Sequence, residues 1–357
     1  MMRYAARAEG DVIDMVSGNP DFEPPPALRS ALHEYADMDQ AHFQYPPSDG
    51  LVDLRVAIAE RRGVDRDQVV VTHGAGGANY LGMAIGLDRD AGDEAILTDP
   101  VYPYYPGKVE MLGGTPRLVP THPDGSLDVA AMVDAMSGDT ALVVLNTPNN
   151  PTGAVYDDAS VRAVIDHAEA NDAIVVVDEV YDRFDFSGQF KSALEVDSTH
   201  RIVTGGFSKS MAITGFRVGF AILPERFVDP AVTRNMLTNV AGSRPAQHAV
   251  VRALRETPES YYADARDTLR RRIEAFTEAL DAAGARYTTP NGGFYVLARF
   301  EGVPGTTANA KRLVDEAGVA GMPGSTFGEA YADWLRFAVV TPRAVEAAER
   351  LGAYVEA

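Results

Sequence analysis

The stretch Ile174-Val175-Val176-Val177-Asp178-Glu179-Val180-Tyr181 places four consecutive aliphatic residues directly before two carboxylates. Four β-branched residues in a row, apolar on both faces, predict a strand buried inside a sheet. A carboxylate at the end of such a strand is costly to bury unless it has a cationic partner. Ligands collect at the carboxyl ends of strands in an open α/β sheet. The sequence therefore predicts that Asp178 lies in a ligand site and faces a cation.

Similar β-rich runs occur on both sides of this stretch, and most are separated by segments of helical length. They are residues 68–72, 95–98, 141–145, 201–204 and 218–223. Because they are apolar on both faces, we interpret them as strands of a mostly parallel sheet with helices on both sides. The predicted fold class is therefore α/β.

The pattern changes after residue 245, where helical periodicity runs through residues 246–283 and strand-like segments follow near 293–297 and 335–340. This change predicts a second, smaller α+β domain. The predicted boundaries are residues 36–244 for the large domain, and residues 1–35 with 245–357 for the small domain.

Composition and charge exclude several classes of protein. The chain of 357 residues has no cysteine, which excludes disulfides, thiolate nucleophiles and cysteine-based zinc sites. A net charge of −19 argues against nucleic-acid and membrane-surface partners, because both are polyanionic. The seven histidines are scattered, so we predict no metal site. The apolar core of a signal peptide is absent near Met1, and we expect a cytoplasmic protein.

The basic residues are unusually rich in arginine. Only four of the 32 are lysines, and 28 are therefore arginines. An acidic, lysine-poor surface suits a cytoplasm of high salt, because salt screens the repulsion between like charges. A genome of high GC content would also exchange lysine for arginine. We expect a halophilic protein, with genome composition as the alternative.

Two of the predicted strands end in residues suited to a phosphorylated, planar ligand. The strand 68–72 runs into His73-Gly74-Ala75-Gly76-Gly77, whose small side chains would let a phosphate approach the backbone N–H groups at a helix start. This turn alone is also compatible with an ordinary strand–helix connection. The strand 95–98 leads to Tyr102, an aromatic residue that could stack on a heterocycle or simply pack.

Three further motifs come after the remaining strands. Asn149-Asn150-Pro151-Thr152-Gly153 is a stiff turn that fixes an amide side chain. Ser208-Lys209-Ser210 places a rare lysine at a strand end, where burial would lower its pKa and make it a candidate for a Schiff base. Arg217, eight residues later, could donate charge-assisted hydrogen bonds to the same phosphate.

Together these motifs resemble fold-type-I pyridoxal-phosphate (PLP) enzymes of the aspartate aminotransferase class. The resemblance rests on Asn-Asn-Pro-Thr-Gly, on Asp-x-x-Tyr 28 residues after the asparagine, and on Ser-Lys with Gly-x-Arg-x-Gly beyond it. It extends over nearly the whole chain. The resemblance implies PLP as the cofactor and the PLP-dependent transferase fold.

The resemblance also implies a role for each matching residue. Lys209 would bind the cofactor and move the substrate proton, Asp178 would keep the pyridine nitrogen protonated, and Asn150 and Tyr181 would hydrogen-bond the phenolic oxygen. Tyr102 would stack on the ring. The residues implied to bind the phosphate are Ala75, Gly76, Gly77, Ser208 and Arg217.

Three positions outside the central sheet match the family as well. Gly18, in Ser-Gly-Asn-Pro-Asp-Phe, matches a glycine that lies against the substrate carboxylate. Arg336, in Trp-Leu-Arg-Phe, matches the arginine that binds the α-carboxylate as a bidentate fork, with Asn150 beside it. Tyr45 matches a tyrosine that reaches the phosphate of the neighbouring subunit, which implies a homodimer with shared sites.

One position departs from the family and others stay open. The family usually carries serine or threonine where this chain has Gly206, so one hydroxyl to the phosphate is lost. Arg244 could contact the phosphate or a substrate side chain, or could be a surface arginine. His73 is expected to be a polar neighbour of the phosphate turn rather than a catalyst.

The resemblance implies an aminotransferase that moves an amino group between an L-amino acid and a 2-keto acid. A PLP-dependent lyase or decarboxylase on the same fold, such as one similar to threonine-phosphate decarboxylase, is the alternative. A PLP-sensing regulator would need a DNA-binding domain, for which the chain has no room. The donor stays open among aspartate, alanine, aromatic amino acids and histidinol phosphate.

Overall fold

The computed structural model describes residues 1–89 and 91–356, and its strands form three sheets. The strands are β1 (Ile13–Asp14), β2 (Val69–His73), β3 (Glu94–Asp99), β4 (Thr115–Pro120), β5 (Thr140–Asn146), β6 (Ile174–Asp178), β7 (Arg201–Gly206), β8 (Val218–Ile222), β9 (Arg286–Tyr287), β10 (Tyr295–Arg299), β11 (Val319–Ala320), β12 (Met322–Pro323) and β13 (Leu335–Ala338).

Helices connect and cover these strands. They are α1 (Met2–Ala5), α2 (Pro26–Ala36), α3 (Val52–Arg62), α4 (Gly74–Leu87), α5 (Tyr104–Met111), α6 (Val129–Ala135), α7 (Asp158–Ala170), α8 (Glu225–Asn239), α9 (Arg244–Glu256), α10 (Glu259–Ala282), α11 (Thr307–Arg312) and α12 (Ala344–Glu356). None of the helices within residues 1–89 and 91–356 combines the length and the apolarity needed to cross a membrane.

The largest sheet has seven strands in the order β2-β8-β7-β6-β5-β3-β4. Four of its six neighbouring pairs are parallel, and β8 runs antiparallel to both of its neighbours. The central strand β6 is buried along its whole length. This sheet confirms the mostly parallel α/β domain that the aliphatic runs predicted.

Helices bury both faces of the large sheet. On one face Val176 of β6 packs with Leu81 and Met83 of α4, and on the other Val175 packs with Val164 of α7. Because successive side chains of a strand point to opposite faces, a strand covered on both sides needs aliphatic residues at every position. This requirement explains the unbroken run from residue 174 to residue 177.

One strand of the large sheet was not predicted from the sequence. Strand β4 contains Pro116 and Pro120 and pairs only with β3, at the edge of the sheet. A central strand donates backbone N–H groups to neighbours on both sides, and proline has no N–H to donate. An edge strand has one neighbour only and tolerates proline where the missing N–H would face away from it. The two prolines therefore argued against a strand in the sequence, although they are acceptable in a strand at the edge of the sheet.

The second sheet is antiparallel, in the order β12-β13-β10-β9, and it positions two residues of the site. Helices α10 and α12 pack together, and Phe276 and Leu351 share a core with Phe337 of β13. Arg336 lies next to Phe337 on β13, and Tyr295 begins the neighbouring strand β10. This confirms the predicted strands and helices of a smaller α+β unit.

Helix α2 packs against α9 at the proposed join between the two domains. Leu28 of α2 and Val250 of α9 belong to one core with Val71 of the large sheet. The division at residues 35/36 and 244/245 stays a prediction.

A buried ion cluster joins α3 to the segment after β6. The Arg62 guanidinium lies 2.9 Å from the Glu179 carboxylate and 3.2 Å from that of Asp182. The Glu179 side chain is fully buried and also accepts hydrogen bonds from Ser192 and from the backbone N–H of Ala193. Burial raises the pKa of Glu179, and Arg62 opposes that rise. Arg62 is therefore the cation that makes these buried carboxylates tolerable.

Replacing Arg62 by methionine should destabilise the fold strongly. The change removes the cation that pairs with the fully buried Glu179 and the partly buried Asp182, and breaking a buried pair in this way costs about 3–5 kcal/mol. The measurement is the free energy of unfolding from urea titration followed by circular dichroism.

Arg66→Met is the matched control, because Arg66 forms only an exposed pair with Asp67 at 3.6 Å. An exposed pair contributes at most about 1 kcal/mol. If Arg62→Met loses no more stability than Arg66→Met, the cluster of Arg62, Glu179 and Asp182 does not stabilise the fold.

Candidate active site

A cavity of about 400 Å³ lies at the carboxyl ends of the large-sheet strands, where the small sheet meets them. Most of the residues predicted for the site line it together. These are Gly18, Ala75, Gly76, Tyr102, Asn150, Asp178, Tyr181, Ser208, Lys209, Arg217 and Arg336. Gly77 and Tyr45 are not among the residues that line this cavity.

Asp178 ends β6 and is buried, with only 1% of its surface exposed. Its Oδ2 accepts three side-chain hydrogen bonds, from Asn79 at 2.5 Å, Tyr105 at 2.7 Å and Tyr104 at 3.2 Å. Its Oδ1 accepts the backbone N–H of Val180 at 2.9 Å. A carboxylate offers about four acceptor positions. The unused capacity of Asp178 is therefore on Oδ1.

Asn79, Tyr104 and Tyr105 are functional neighbours that the sequence reasoning missed. Asn79 lies in the buried face of α4 and accepts the Thr204 hydroxyl at 2.5 Å while donating to Asp178. Burial raises the pKa of both tyrosines well above the usual value, so both hydroxyls stay protonated and donate. The one available signal was a polar residue at position 79 within an otherwise apolar helix.

Lys209 lies just after β7 and brings its amine into the cavity. The Nζ donates to the carbonyl oxygen of Gly18 at 2.8 Å. Burial, together with the positive charges of Arg336 and Arg217, lowers the pKa of Lys209 to about 8, while Asp178 opposes the shift. An amine in this range has an appreciable neutral fraction near neutral pH, and the neutral amine is the nucleophilic form.

The start of α4 lies at the end of the cavity that is best suited to an anion. No side chain caps this helix, so the N–H groups of its first turn are available to an anion. Ser208 and Arg217 lie beside it, with the Arg217 Nη1 3.5 Å from the Ser208 hydroxyl and Nη2 3.4 Å from the His73 carbonyl oxygen. Burial lowers the pKa of His73, and Arg217 lowers it further.

Glycine is required where β8 passes the start of α4. A Cβ at Gly219 would lie 2.3 Å from the carbonyl carbon of Gly74 and 2.5 Å from the nitrogen of Ala75. Gly206, where the family usually carries a hydroxyl, is also crowded, because a Cβ there would lie 3.2 Å from the Ala75 nitrogen. Ser208 and Thr214 both line the cavity near Arg217, and the Ser208 hydroxyl lies 3.5 Å from the Arg217 Nη1.

Arg336 is the cation of the opposite wall, and only 3% of it is exposed. Its Nη2 donates to the Val16 carbonyl oxygen at 2.5 Å and its Nη1 to the Asn150 amide oxygen at 3.3 Å. The guanidinium lies between two rings, 4.5 Å from the centroid of Tyr295 and 5.1 Å from that of Phe327. A flat, fixed guanidinium of this kind is suited to a carboxylate.

The turn after β5 fixes Asn150. The Asn146 amide oxygen accepts the backbone N–H of Asn150 at 2.9 Å, and the Asn146 side chain donates to the Asp178 carbonyl oxygen at 3.0 Å. Tyr181 lies nearby, with its hydroxyl 3.2 Å from that of Tyr295. Tyr295, in the segment predicted as a strand near 293–297, also lines the cavity, although the sequence did not point to a role for it there.

Tyr45 and Arg244 lie apart from the cavity, on the surface. Tyr45 is 82% exposed, and the Arg244 guanidinium donates to the carbonyl oxygens of Gln44 and Tyr45 at 3.3 and 3.5 Å. Arg244 therefore holds the chain segment that carries Tyr45. Contact of either residue with phosphate or substrate stays a prediction.

The donor set of the cavity fits PLP. A helix start without a side-chain cap, with Arg217 and Ser208 beside it, suits the phosphate. The Asp178 carboxylate, with spare capacity on Oδ1, suits a protonated ring nitrogen. The Lys209 amine suits the aldehyde.

Comparison with known proteins also indicates a PLP-dependent enzyme. Residues 10–351 match the family described as aminotransferase class I and II. The aspartate/prephenate aminotransferase of Thermus thermophilus is 31% identical over 328 residues, which cover 89% of this chain and 84% of that protein. The aspartate aminotransferase of Thermotoga maritima is 32% identical over 352 residues, which cover 96% and 90%.

Solved structures agree with the sequence comparison. The aspartate aminotransferase from Thermus thermophilus with maleate superposes with a TM-score of 0.89 at 31% identity and covers 96% of this chain and 91% of that one. These relatives are aminotransferases, which supports transamination over the lyase alternative. The protein belongs to the aminotransferase class I and II family and is a PLP-dependent enzyme that moves an amino group between an amino acid and a 2-keto acid.

Proposed function

We propose that transamination takes place in the cavity between the two sheets, with Lys209, Asp178 and Arg336 as its principal residues. One observation carries this assignment: the Lys209 amine lies in one cavity with two guanidinium groups and the Asp178 carboxylate. When bound, PLP supplies an electron-withdrawing ring that makes the bonds at an amino acid's α-carbon labile.

Each residue has a distinct task. Lys209 would hold the cofactor covalently and then take the proton from the substrate α-carbon. Asp178 would pair with the ring nitrogen, while Asn150 and Tyr181 would hydrogen-bond the ring oxygen. Ala75, Gly76, Gly77, Ser208 and Arg217 would hold the phosphate, and Tyr102 would lie against the ring.

Arg336 would set the orientation of the substrate. Its Nη1 and Nη2 groups currently contact oxygens of Asn150 and Val16, and its Nε is buried without a partner among the described residues. A bound α-carboxylate would complete this donor set as a bidentate pair. Held there, with Gly18 beside it, the substrate would present its α-carbon to Lys209.

The relatives suggest which donor to test first. They include aspartate and aspartate/prephenate aminotransferases by name, and one solved structure contains maleate. We therefore take L-aspartate as the first donor, ahead of alanine, aromatic amino acids and histidinol phosphate. The predicted cytoplasmic location stays a prediction.

A single-turnover experiment tests the proposal. Wild-type enzyme loaded with PLP and given L-aspartate, but no keto acid, should release one keto acid per active site and then stop. Arg336→Lys keeps the positive charge but loses the planar, bidentate pair with the substrate carboxylate. Release of the keto acid should therefore slow by about ten- to a hundredfold, the effect of a lost charge-assisted pair.

Cofactor binding serves as the control, because Arg336 should contact the substrate alone. Arg336→Lys should therefore retain PLP as wild type does in equilibrium dialysis. Continuous release of carbon dioxide or ammonia by the wild type, without a keto acid, would identify a lyase instead.

We further propose that the enzyme is a homodimer whose interface includes a patch of exposed apolar residues near Tyr45. The patch contains Phe43, Tyr45, Met236, Leu237 and Val240, which are between 41% and 82% exposed. Val240 has a φ of 62°, unusual for a β-branched residue. A second copy of the chain would bury these side chains and bring Tyr45 to its partner's site.

Leu237→Asp should weaken the dimer by at least about tenfold, because it places a charge in an apolar interface. Sedimentation velocity across a range of concentrations measures the change. Met111→Asp is the matched control, since Met111 is 66% exposed on α5, away from this patch. A wild type that stays monomeric, or equal effects of the two variants, would contradict the interface.

We also propose that the enzyme is adapted to high salt. The carboxylates far outnumber the basic groups, so their mutual repulsion should destabilise the fold when salt is low. The midpoint of thermal unfolding should rise steadily from low to molar KCl. A midpoint that is unchanged or falls would leave genome composition as the explanation of the arginine excess.

A further inference from the structure

The three tyrosines just after β3 occupy different positions around the site. Tyr102 lines the cavity, whereas the hydroxyls of Tyr104 and Tyr105 point to Asp178 Oδ2. The Tyr104 and Tyr105 ring centroids lie 4.3 Å apart, and the Tyr102 centroid lies 4.9 Å from that of Tyr104. Packing against one another restricts the rings, so the two hydroxyls have little freedom to leave the carboxylate.

The donors on Asp178 compensate a buried charge without neutralising it. No lysine or arginine among the described residues forms an ion pair with the Asp178 carboxylate. A buried carboxylate without a cation or hydrogen bonds would become protonated. Hydrogen bonds to a carboxylate offset the cost of burying its charge, and the hydroxyls of Tyr104 and Tyr105 and the Asn79 amide supply three of them to Asp178.

A lysine next to Tyr104 adds a positive charge. The Lys108 Nζ lies 3.7 Å from the Tyr104 ring centroid and donates to the Gly76 carbonyl oxygen at 2.8 Å. A cation over a tyrosine ring draws electron density from it, which makes the hydroxyl a better donor. Burial lowers the pKa of Lys108 to about 8, and Asp178 opposes that shift, so the two charges interact.

We propose that Tyr104 and Tyr105 are positioning residues that hold the Asp178 carboxylate by its Oδ2 and leave its Oδ1 available to the ring nitrogen of the cofactor. The inference rests on the proposed role of Asp178. Three donors crowd Oδ2, so rotation of the carboxylate would break all three bonds at once. The phenol donors also stay protonated across the physiological range, whereas a histidine in their place would lose a proton there.

The test separates contact with the ring nitrogen from contact with the rest of the cofactor. Dissociation constants are measured, by quenching of protein fluorescence, for PLP and for an analogue in which a carbon replaces the ring nitrogen. The dissociation constant of the analogue divided by that of PLP gives a ratio that reports the contact with the ring nitrogen alone. A merely structural defect would weaken both ligands alike and leave the ratio unchanged.

We expect the wild-type enzyme to favour PLP and Asp178→Asn to lose most of that preference. Tyr105→Phe should lower the ratio about tenfold, the effect of one hydrogen bond to a charged group. Tyr104→Phe should lower it less, because its contact is 3.2 Å rather than 2.7 Å. Tyr156→Phe is the matched control, since Tyr156 is as buried as Tyr105 but does not line the cavity.

The outcomes distinguish this inference from the function on which it rests. A high wild-type ratio that Asp178→Asn lowers, but that Tyr105→Phe and Tyr104→Phe leave unchanged or raise, would overturn the positioning role alone. A wild-type ratio near one would overturn it together with the role of Asp178. Release of keto acid from L-aspartate in the single-turnover assay would show that transamination itself still stands.

Discussion

The central constraint on this site is the burial of the Asp178 carboxylate at the end of a strand that is aliphatic on both faces. A sheet covered by helices on both sides cannot reach water at that point, so the charge has to be compensated by protein groups or by a ligand. The start of α4 supplies Asn79, and the segment after β3 supplies Tyr104 and Tyr105. The elements on either side of the cavity are thus tied together by one carboxylate.

Lys209 and Arg336 are held in place by a different element, the N-terminal segment between β1 and α2. Its carbonyl oxygens accept hydrogen bonds from two cations that line the cavity: Gly18 accepts from Lys209, and Val16 from Arg336. Carbonyl oxygens are neutral, so they hold the two cations in place without using up their charge. An incoming carboxylate therefore meets an Arg336 whose geometry is fixed and whose charge is still available.

Features set by local chemistry could be predicted well from the sequence. Aliphatic runs identified the buried strands, and motifs with distinctive spacing predicted a common site for Lys209 and Arg336, which do line one cavity. Contacts made by residues far apart in the chain could not be predicted in this way. Asn79 and Asp178 are 99 residues apart, and nothing in the apolar sequence of α4 shows that its one buried amide reaches β6. Strand β4 was not predicted for another reason. Its prolines are acceptable only in an edge strand, and the local sequence does not show which strand lies at the edge of the sheet.

Asp178 and Glu179 are adjacent carboxylates that the fold treats in opposite ways. Glu179 points to the far side of β6, where a permanent cation, Arg62, pairs with it and Ser192 and Ala193 use its remaining acceptor positions. Asp178 receives neutral donors instead, concentrated on one oxygen, and keeps capacity on the other. A buried carboxylate whose charge is already paired stabilises the structure and offers little to a ligand. A carboxylate that is held by neutral donors alone still attracts a positive partner, and of the two neighbouring acids it is Asp178, not Glu179, that lines the cavity.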